Sequence, residues 1–284
     1  MSAPRVSFEF FPPKTPEAEA GLWKTVERLA PLNPEFVSVT YGADGSTRER
    51  THQVIESILT KTSLKPVPHL TCVGAARSEI DSIADGYWDM GIRQIVALRG
   101  DPEGGAEAAY VPHPDGYAFA SDLVQGLLEK YPFELFVAAY PETHPQAVSA
   151  DADLENLKRK ADAGGHRAIT QFFFDNEIFL RFRDRVAAMQ IDVELIPGIL
   201  PVTNFNTLVR FAGACGASVP KSLSMQFEGL DEDPTTRQLI AAHAAVSQAE
   251  DLGREGVEDF HFYTLNRADL SFAVCHALGV RGCA

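Results

Sequence analysis

Short runs of β-branched and aromatic residues recur along the chain. Each is followed by a turn signal and then by apolar positions three and four apart, the pattern of repeated βα units. Eight strands are predicted, at residues 6–11, 36–41, 67–73, 94–101, 133–140, 167–174, 192–199 and 259–266. Six of the seven intervals between their starts span 25–39 residues, room for one strand, one helix and two loops. The last interval is 67 residues and leaves space for extra helices before strand eight, among them Pro234–Arg254. Eight such repeats predict an α/β fold, a single (β/α)8 TIM barrel over residues 1–284. Helix starts agree with this phasing. Ser46-Thr47-Arg48-Glu49 reads as a capping box, Thr15-Pro16 puts proline at a first helical position, and Asp175 and Asn266 are N-cap candidates just after strands. The competing open, doubly wound sheet usually carries a Gly-x-Gly dinucleotide motif, and this chain has none.

Composition narrows the function classes. With 45% hydrophobic and 23% charged residues, the 284-residue chain can bury a sizeable core. A net charge of −14 argues against nucleic acid and anionic membrane as partners. No apolar run approaches the roughly 18 residues of a membrane span, and no signal-peptide core opens the chain, so a cytoplasmic protein is expected. Cys72, Cys215, Cys275 and Cys283 form no C-x-x-C pair and have no histidine at zinc spacing, so neither a disulfide framework nor a metal is expected. Gly-x-Ser-x-Gly, His-Glu-x-x-His and P-loop motifs are absent, which sets aside serine hydrolysis, zinc hydrolysis and P-loop phosphotransfer.

Barrel enzymes gather their chemistry at the C-terminal ends of the strands, so polar residues there are the candidates. In strand one Val6, Phe8 and Phe10 share a face that suits the helix layer, which turns Ser7 and Glu9 into the barrel. A carboxyl near the mouth is disfavoured in its charged form by burial and is suited to give a proton at neutral pH; a glutamate paired with an inward Arg or Lys is the structural alternative. Strand four ends in Arg99-Gly100-Asp101, two charges expected on the face shared with Ile95 and Ala97, with a glycine that admits a ligand to the backbone. An Arg99–Asp101 salt bridge is the plainer reading. Thr40, Tyr41, His69, Thr71, Tyr140, Glu142, His144 and Gln171 fall at or near the same rim.

The helix after strand five carries Leu154, Leu157 and Ala161 as its buried stripe, with Asp153, Asn156 and Lys160 as a polar row along the border. Such a row can line a groove, the aspartate meeting ribose hydroxyls and Arg159 and Lys160 a pyrophosphate. A solvated basic patch is the ordinary alternative for a Lys-Arg-Lys run.

Several segments together bring a family into view: Val6-Ser7-Phe8-Glu9-Phe10-Phe11-Pro12-Pro13-Lys14, Val39-Thr40-Tyr41-Gly42-Ala43, Pro68-His69-Leu70-Thr71-Cys72, Ala97-Leu98-Arg99-Gly100-Asp101, Ala139-Tyr140-Pro141-Glu142, Thr170-Gln171-Phe172-Phe173-Phe174-Asp175, Pro197-Gly198-Ile199-Leu200-Pro201 and His261-Phe262-Tyr263-Thr264-Leu265-Asn266-Arg267. From end to end the chain resembles bacterial methylenetetrahydrofolate reductases, whose fold is a (β/α)8 barrel. The resemblance implies reduction of 5,10-methylenetetrahydrofolate to 5-methyltetrahydrofolate, with NADH or NADPH first reducing FAD in a ping-pong hydride transfer that supplies methyl groups for methionine synthesis. By the same resemblance Glu9 is the proton donor and Asp101 the acidic residue near flavin and pterin. Thr40, Tyr41, Ala43, His69, Arg99, Gly100, Asp101, Ala120, Tyr140, His144, Asp153, Asn156, Arg159 and Lys160 correspond to FAD or nicotinamide contacts. Asp101, Gln171, Phe211 and Arg267 correspond to folate or nicotinamide contacts. A homo-oligomer is implied, without the C-terminal regulatory domain of eukaryotic relatives.

Two features depart from the family pattern. Thr207 stands where better-known members carry a longer amide, and the 102–116 loop differs from their versions. The rival readings are a flavin-free tetrahydrofolate-dependent reductase or methyltransferase on the same barrel, and a non-catalytic docking subunit. The Asp153, Asn156, Arg159 and Lys160 row argues against the first pair and the presence of Glu9 against the last.

Overall fold

The computed structural model describes residues 3–41, 48–102, 108–202 and 204–282. Ala43, Cys283 and the start of the expected Ser46-Thr47 capping box lie outside the described residues.

The elements run β1 (Arg5–Phe10), α1 (Pro16–Leu29), a 3-10 turn (Ala30–Leu32), β2 (Val37–Val39), α2 (Arg48–Lys61), β3 (Pro66–Thr71), α3 (Arg77–Asp89), β4 (Gln94–Leu98), α4 (Ala120–Lys130), β5 (Glu134–Ala139), α5 (Ala150–Asp162), β6 (Arg167–Thr170) and α6 (Asn176–Ala188). They continue through β7 (Glu194–Ile196), β8 (Gly198–Ile199), α7 (Phe205–Ala214), α8 (Lys221–Phe227), α9 (Pro234–Arg254), β9 (Asp259–Tyr263) and α10 (Ala268–Ala277). All strand pairs are parallel, in the order β7-β6-β5-β4-β3-β2-β1-β9-β8. The predicted barrel is therefore present, with α7, α8 and α9 as the extra helices before its last strand.

The predicted strand at 192–199 is broken. Pro197 has no N–H for the ladder, so β7 pairs with β6 and β8 pairs with β9, and the two halves complete the ring from either side. At the break, the Pro197 carbonyl accepts from the His261 N–H at 3.0 Å and the Gly198 N–H donates to Thr170 Oγ1 at 2.9 Å. Thr15 and Asp175 cap α1 and α6 as expected. Asn266 does not cap α10, whose N-cap is Arg267. Leu265 and Asn266 both adopt left-handed backbone, and the Asn266 amide instead bonds the Phe11 N–H and carbonyl at 3.1 and 2.8 Å, tying β9 to β1.

Strand alternation divides the core in two. Val6, Phe8 and Phe10 pack outward against the helices together with Phe260 and Phe262. Inside the barrel, Phe36, Val67, Val96, Phe136, Ile169 and Ile196 form a separate apolar plug. Arg167 seals its lower end: the guanidinium lies 4.8 Å from the Phe136 ring centre and reaches Glu35, Glu134 and Glu194 at 3.1, 3.3 and 2.9 Å. Above the plug the inward residues turn polar, and this change marks the floor of the site.

Gly198 has no room for a side chain, because a Cβ there would sit 2.3 Å from the Thr170 carbonyl and 2.5 Å from the Tyr263 ring. Gly198→Ala is expected to cost about 1–3 kcal/mol by overpacking the closure. Gly86 in α3 faces open space, and Gly86→Ala is expected to gain up to about 1 kcal/mol of helix propensity. Urea unfolding midpoints of the two variants should move in opposite directions.

Candidate active site

Glu9 points into the barrel from β1, as the alternation requires, with its side chain 20% exposed. It has no inward Arg or Lys partner among the described residues. Instead two imidazoles converge on its Oε2, His69 Nε2 from β3 at 3.5 Å and His261 Nε2 from β9 at 3.8 Å. The backbone is held as well: Thr264 Oγ1 donates to the Glu9 carbonyl at 2.6 Å. Burial lowers the basicity of His69, so its ring is neutral at pH 7, and its Nε2 has no hydrogen-bond partner. A buried, unsatisfied ring nitrogen is costly unless a ligand completes it.

His69 also lines a cavity of about 790 Å³ bordered by residues of the C-terminal rim, within the range of cofactor sites. β2 and its exit supply Thr40 and Tyr41; β4 and its exit supply Arg99, Gly100 and Asp101. Ala120 opens α4, Tyr140 and His144 follow β5, and α5 contributes Asp153, Asn156, Arg159 and Lys160. Every described residue of the expected cofactor set thus borders one cleft.

At strand four, Ile95 and Ala97 belong to the main core, and Ala97 also borders the cleft together with Arg99 and Asp101. The strand ends at Leu98, Gly100 turns with a φ of 84°, and the two charges on either side of it, Arg99 and Asp101, both line the cleft. Arg99 is not primarily a partner of Asp101, from which it lies 3.8 Å. It donates to Gln146 Oε1 at 2.7 Å and to the Gly100 carbonyl at 3.0 Å, and stacks 4.6 Å from the centre of the Tyr110 ring.

On α5, Leu154, Leu157 and Ala161 are buried as predicted, and Lys160 is buried with them, its ammonium donating to the Ala138 carbonyl. It is no solvated patch. Burial brings its pKa down to about 8, partly offset by Asp153. One Asp153 oxygen accepts the His144 N–H at 2.9 Å, while His144 Nδ1 accepts the Gln146 N–H at 3.0 Å, so a neutral His144 carries its proton on Nε2. Burial also lowers the basicity of His144 and pushes the Tyr140 phenol up to about 12, leaving a neutral donor facing a cleft that bears Arg99, Arg159 and Lys160.

The remaining candidates lie apart from that cleft. Gln171 follows β6, half-buried, with its Oε1 on the Phe172 N–H. Phe211 on α7 is 45% exposed and stacks on Phe172 at 5.3 Å. Arg267 is exposed at the start of α10, and Thr207 is exposed in the first turn of α7. Tyr263 was not singled out by sequence. It is half-buried, donates to the Thr170 carbonyl at 2.8 Å, and its phenol is pushed well up by burial, then by Glu9 and Tyr140. Alternation along β9, which puts Tyr263 on the inward face with His261, was the available signal.

A parallel barrel with a partly buried carboxyl on its floor and a cation-bearing cleft at its C-terminal rim has the layout of a barrel enzyme. The methylenetetrahydrofolate reductase family model matches residues 2–279. The 5,10-methylenetetrahydrofolate reductase of Pectobacterium carotovorum is 56% identical, over 97% of this chain and 90% of its own length. That of Escherichia coli K12 is 55% identical, over 97% and 91%. A solved Clostridium thermocellum protein described as binding two copies of 5-methyl-5,6,7,8-tetrahydrofolic acid aligns with a TM-score of 0.62 at 13% identity over 97% of this chain and 94% of its own, a likeness of fold. The chain belongs to the methylenetetrahydrofolate reductase family. It is an oxidoreductase of one-carbon metabolism that reduces 5,10-methylenetetrahydrofolate to 5-methyltetrahydrofolate. No helix among the described residues is long and apolar enough to cross a membrane.

Lys160 gives the site a pH signature. Between about pH 8 and its ordinary 10.5 the unfolded chain holds a proton that the folded chain has released, so this residue makes stability rise with pH through that window. Urea unfolding should show the parent gaining on Lys160→Met as pH rises from 8 toward 10; a constant difference would contradict the burial cost.

Proposed function

We propose that the cleft holds FAD, that NADH or NADPH reduces it and leaves, and that the folate then takes its place in a ping-pong sequence. FAD supplies a group that accepts a hydride from one substrate and gives it to the other. The observation that supports this reading is the shared position of His69: it lines the cleft that the cofactor candidates border, and its unpartnered Nε2 lies 3.5 Å from Glu9. The residues fit such a group. Lys160 and Arg159 would meet the pyrophosphate and Asp153 a ribose hydroxyl. Thr40, Tyr41, His69, Arg99, Gly100, Ala120, Tyr140, His144 and Asn156 would border the rest of the flavin or the nicotinamide.

Glu9 does the proton chemistry. Product formation at N5 requires the bond between N10 and the bridging methylene to break, and a proton delivered to N10 lets that nitrogen depart as an amine. The Glu9 O–H bond breaks, an N10–H bond forms, and the N5 iminium left behind accepts the hydride. Asp101 would hold the amino groups of the pterin and present a negative charge beside the flavin. Gln171, Phe211 and Arg267 are read as folate or nicotinamide contacts, the exposed Phe211 ring offering a face on which a planar substrate can stack. A homo-oligomeric, cytoplasmic enzyme that supplies methyl groups for methionine synthesis completes the reading, on the family resemblance.

Glu9→Gln tests it. The variant should bind FAD and be reduced by nicotinamide as the parent is, while folate reduction falls by at least about 100-fold, the scale of a lost general acid. Equal folate turnover in variant and parent would remove Glu9 from the proton-donating role.

A further inference from the structure

The floor beneath Glu9 contains a second enclosed imidazole to which the mechanism above gives no task. His261 is fully buried, and both of its ring nitrogens meet serine hydroxyls, Nδ1 with Ser7 Oγ at 2.8 Å and Nε2 with Ser38 Oγ at 3.4 Å. Ser7 and Ser38 are themselves buried. Two aromatic rings close the remaining sides: Phe36 stacks on the imidazole at 5.6 Å and Tyr263 meets it edge-on at 5.4 Å. Strand register produces this arrangement, because Ser7 on β1 lies opposite His261 on β9 while Ser38 on β2 lies opposite Glu9.

A ring so enclosed is held in place, and its Nε2, in contact with Ser38, lies 3.8 Å from Glu9 Oε2. Glutamate, by contrast, has three rotatable side-chain bonds and a partly open site around it. A general acid must be held to within about half an ångström of its productive geometry, so its orientation has to be fixed by neighbours that are themselves fixed. His261 meets that requirement. A residue that merely filled the barrel would more cheaply be apolar, like the Phe36 and Phe136 side chains of the plug below it, since a buried imidazole needs partners for both nitrogens.

We propose that His261, clamped by Ser7 and Ser38, is a positioning residue for the folate half-reaction, holding the Glu9 carboxyl in the orientation from which it gives its proton to the substrate. This rests on Glu9 being the proton donor. The titratable groups that the structure brings against Glu9 are His69 on β3 and His261 and Tyr263 on β9.

The test measures both half-reactions separately by rapid mixing, across pH, for His261→Leu, His261→Gln, Ser7→Ala and Glu9→Gln in the FAD-loaded protein. Ser7→Ala keeps the imidazole and removes only its Nδ1 partner, so it serves if His261→Leu fails to fold. His261→Leu and Ser7→Ala should slow folate reduction by about tenfold or more, as misplacement of a reacting group does, and shift the pH dependence of that step. Reduction by nicotinamide should stay within about twofold of the parent. His261→Gln, whose amide can reach the Nε2 position, should recover part of the loss. Unchanged folate reduction in Ser7→Ala and the folded His261 variants, or a parallel fall of both half-reactions with the pH profile unmoved, would overturn the proposal. Full folate turnover in Glu9→Gln would instead overturn the reading beneath it, so the two failures are distinguishable.

Discussion

The structure depends on the alternation of one strand. In β1, Val6, Phe8 and Phe10 bury almost completely in the helix layer, worth about 1.5–3 kcal/mol for each side chain. A shift of one residue would expose all three to the barrel interior and send Ser7 and Glu9 into the helices. The apolar face thus fixes the acidic one, and the cost of turning a carboxyl inward is carried by packing on the other side of the same strand. The barrel interior is graded to match. An ion cluster around Arg167 closes the lower end, an apolar plug fills the middle, and a polar layer of Ser7, Ser38, His69, His261 and Glu9 forms the floor of the site.

That grading separates what stabilises the fold from what serves the reaction. The plug and the helix layer are apolar, and the cations that line the cleft sit at the rim, in a chain that is acidic as a whole. Lys160 shows how the two regions meet. Its stem lies in the apolar border of α5 and its ammonium on the Ala138 carbonyl, so its charge is held at a burial cost on the wall of the cleft.

Much of this was legible in the sequence because strand and helix periods report which face meets the core. The eight repeats, the inward Glu9, the buried stripe of α5 and the caps at Thr15 and Asp175 all follow from local pattern. What was not legible depended on register between strands or on single backbone residues. Pro197 splits the seventh strand, and the fourth ends early, at Leu98, ahead of the left-handed turn at Gly100 between Arg99 and Asp101. Asn266 looks like a helix cap in sequence, yet it bridges β1 and β9. Alternation along β9 puts His261 and Tyr263 on the inward face, but only the pairing of β9 with β1 sets them beside Glu9.

The central claim is that one bound flavin serves both substrates in turn. Anaerobic rapid mixing of the purified protein, followed at about 450 nm where oxidised flavin absorbs, tests it most directly. NADH or NADPH should bleach the band, and 5,10-methylenetetrahydrofolate added afterwards should restore it, each step proceeding in the absence of the other substrate. A protein with no such band after incubation with FAD, yet still able to reduce the folate, would contradict the account.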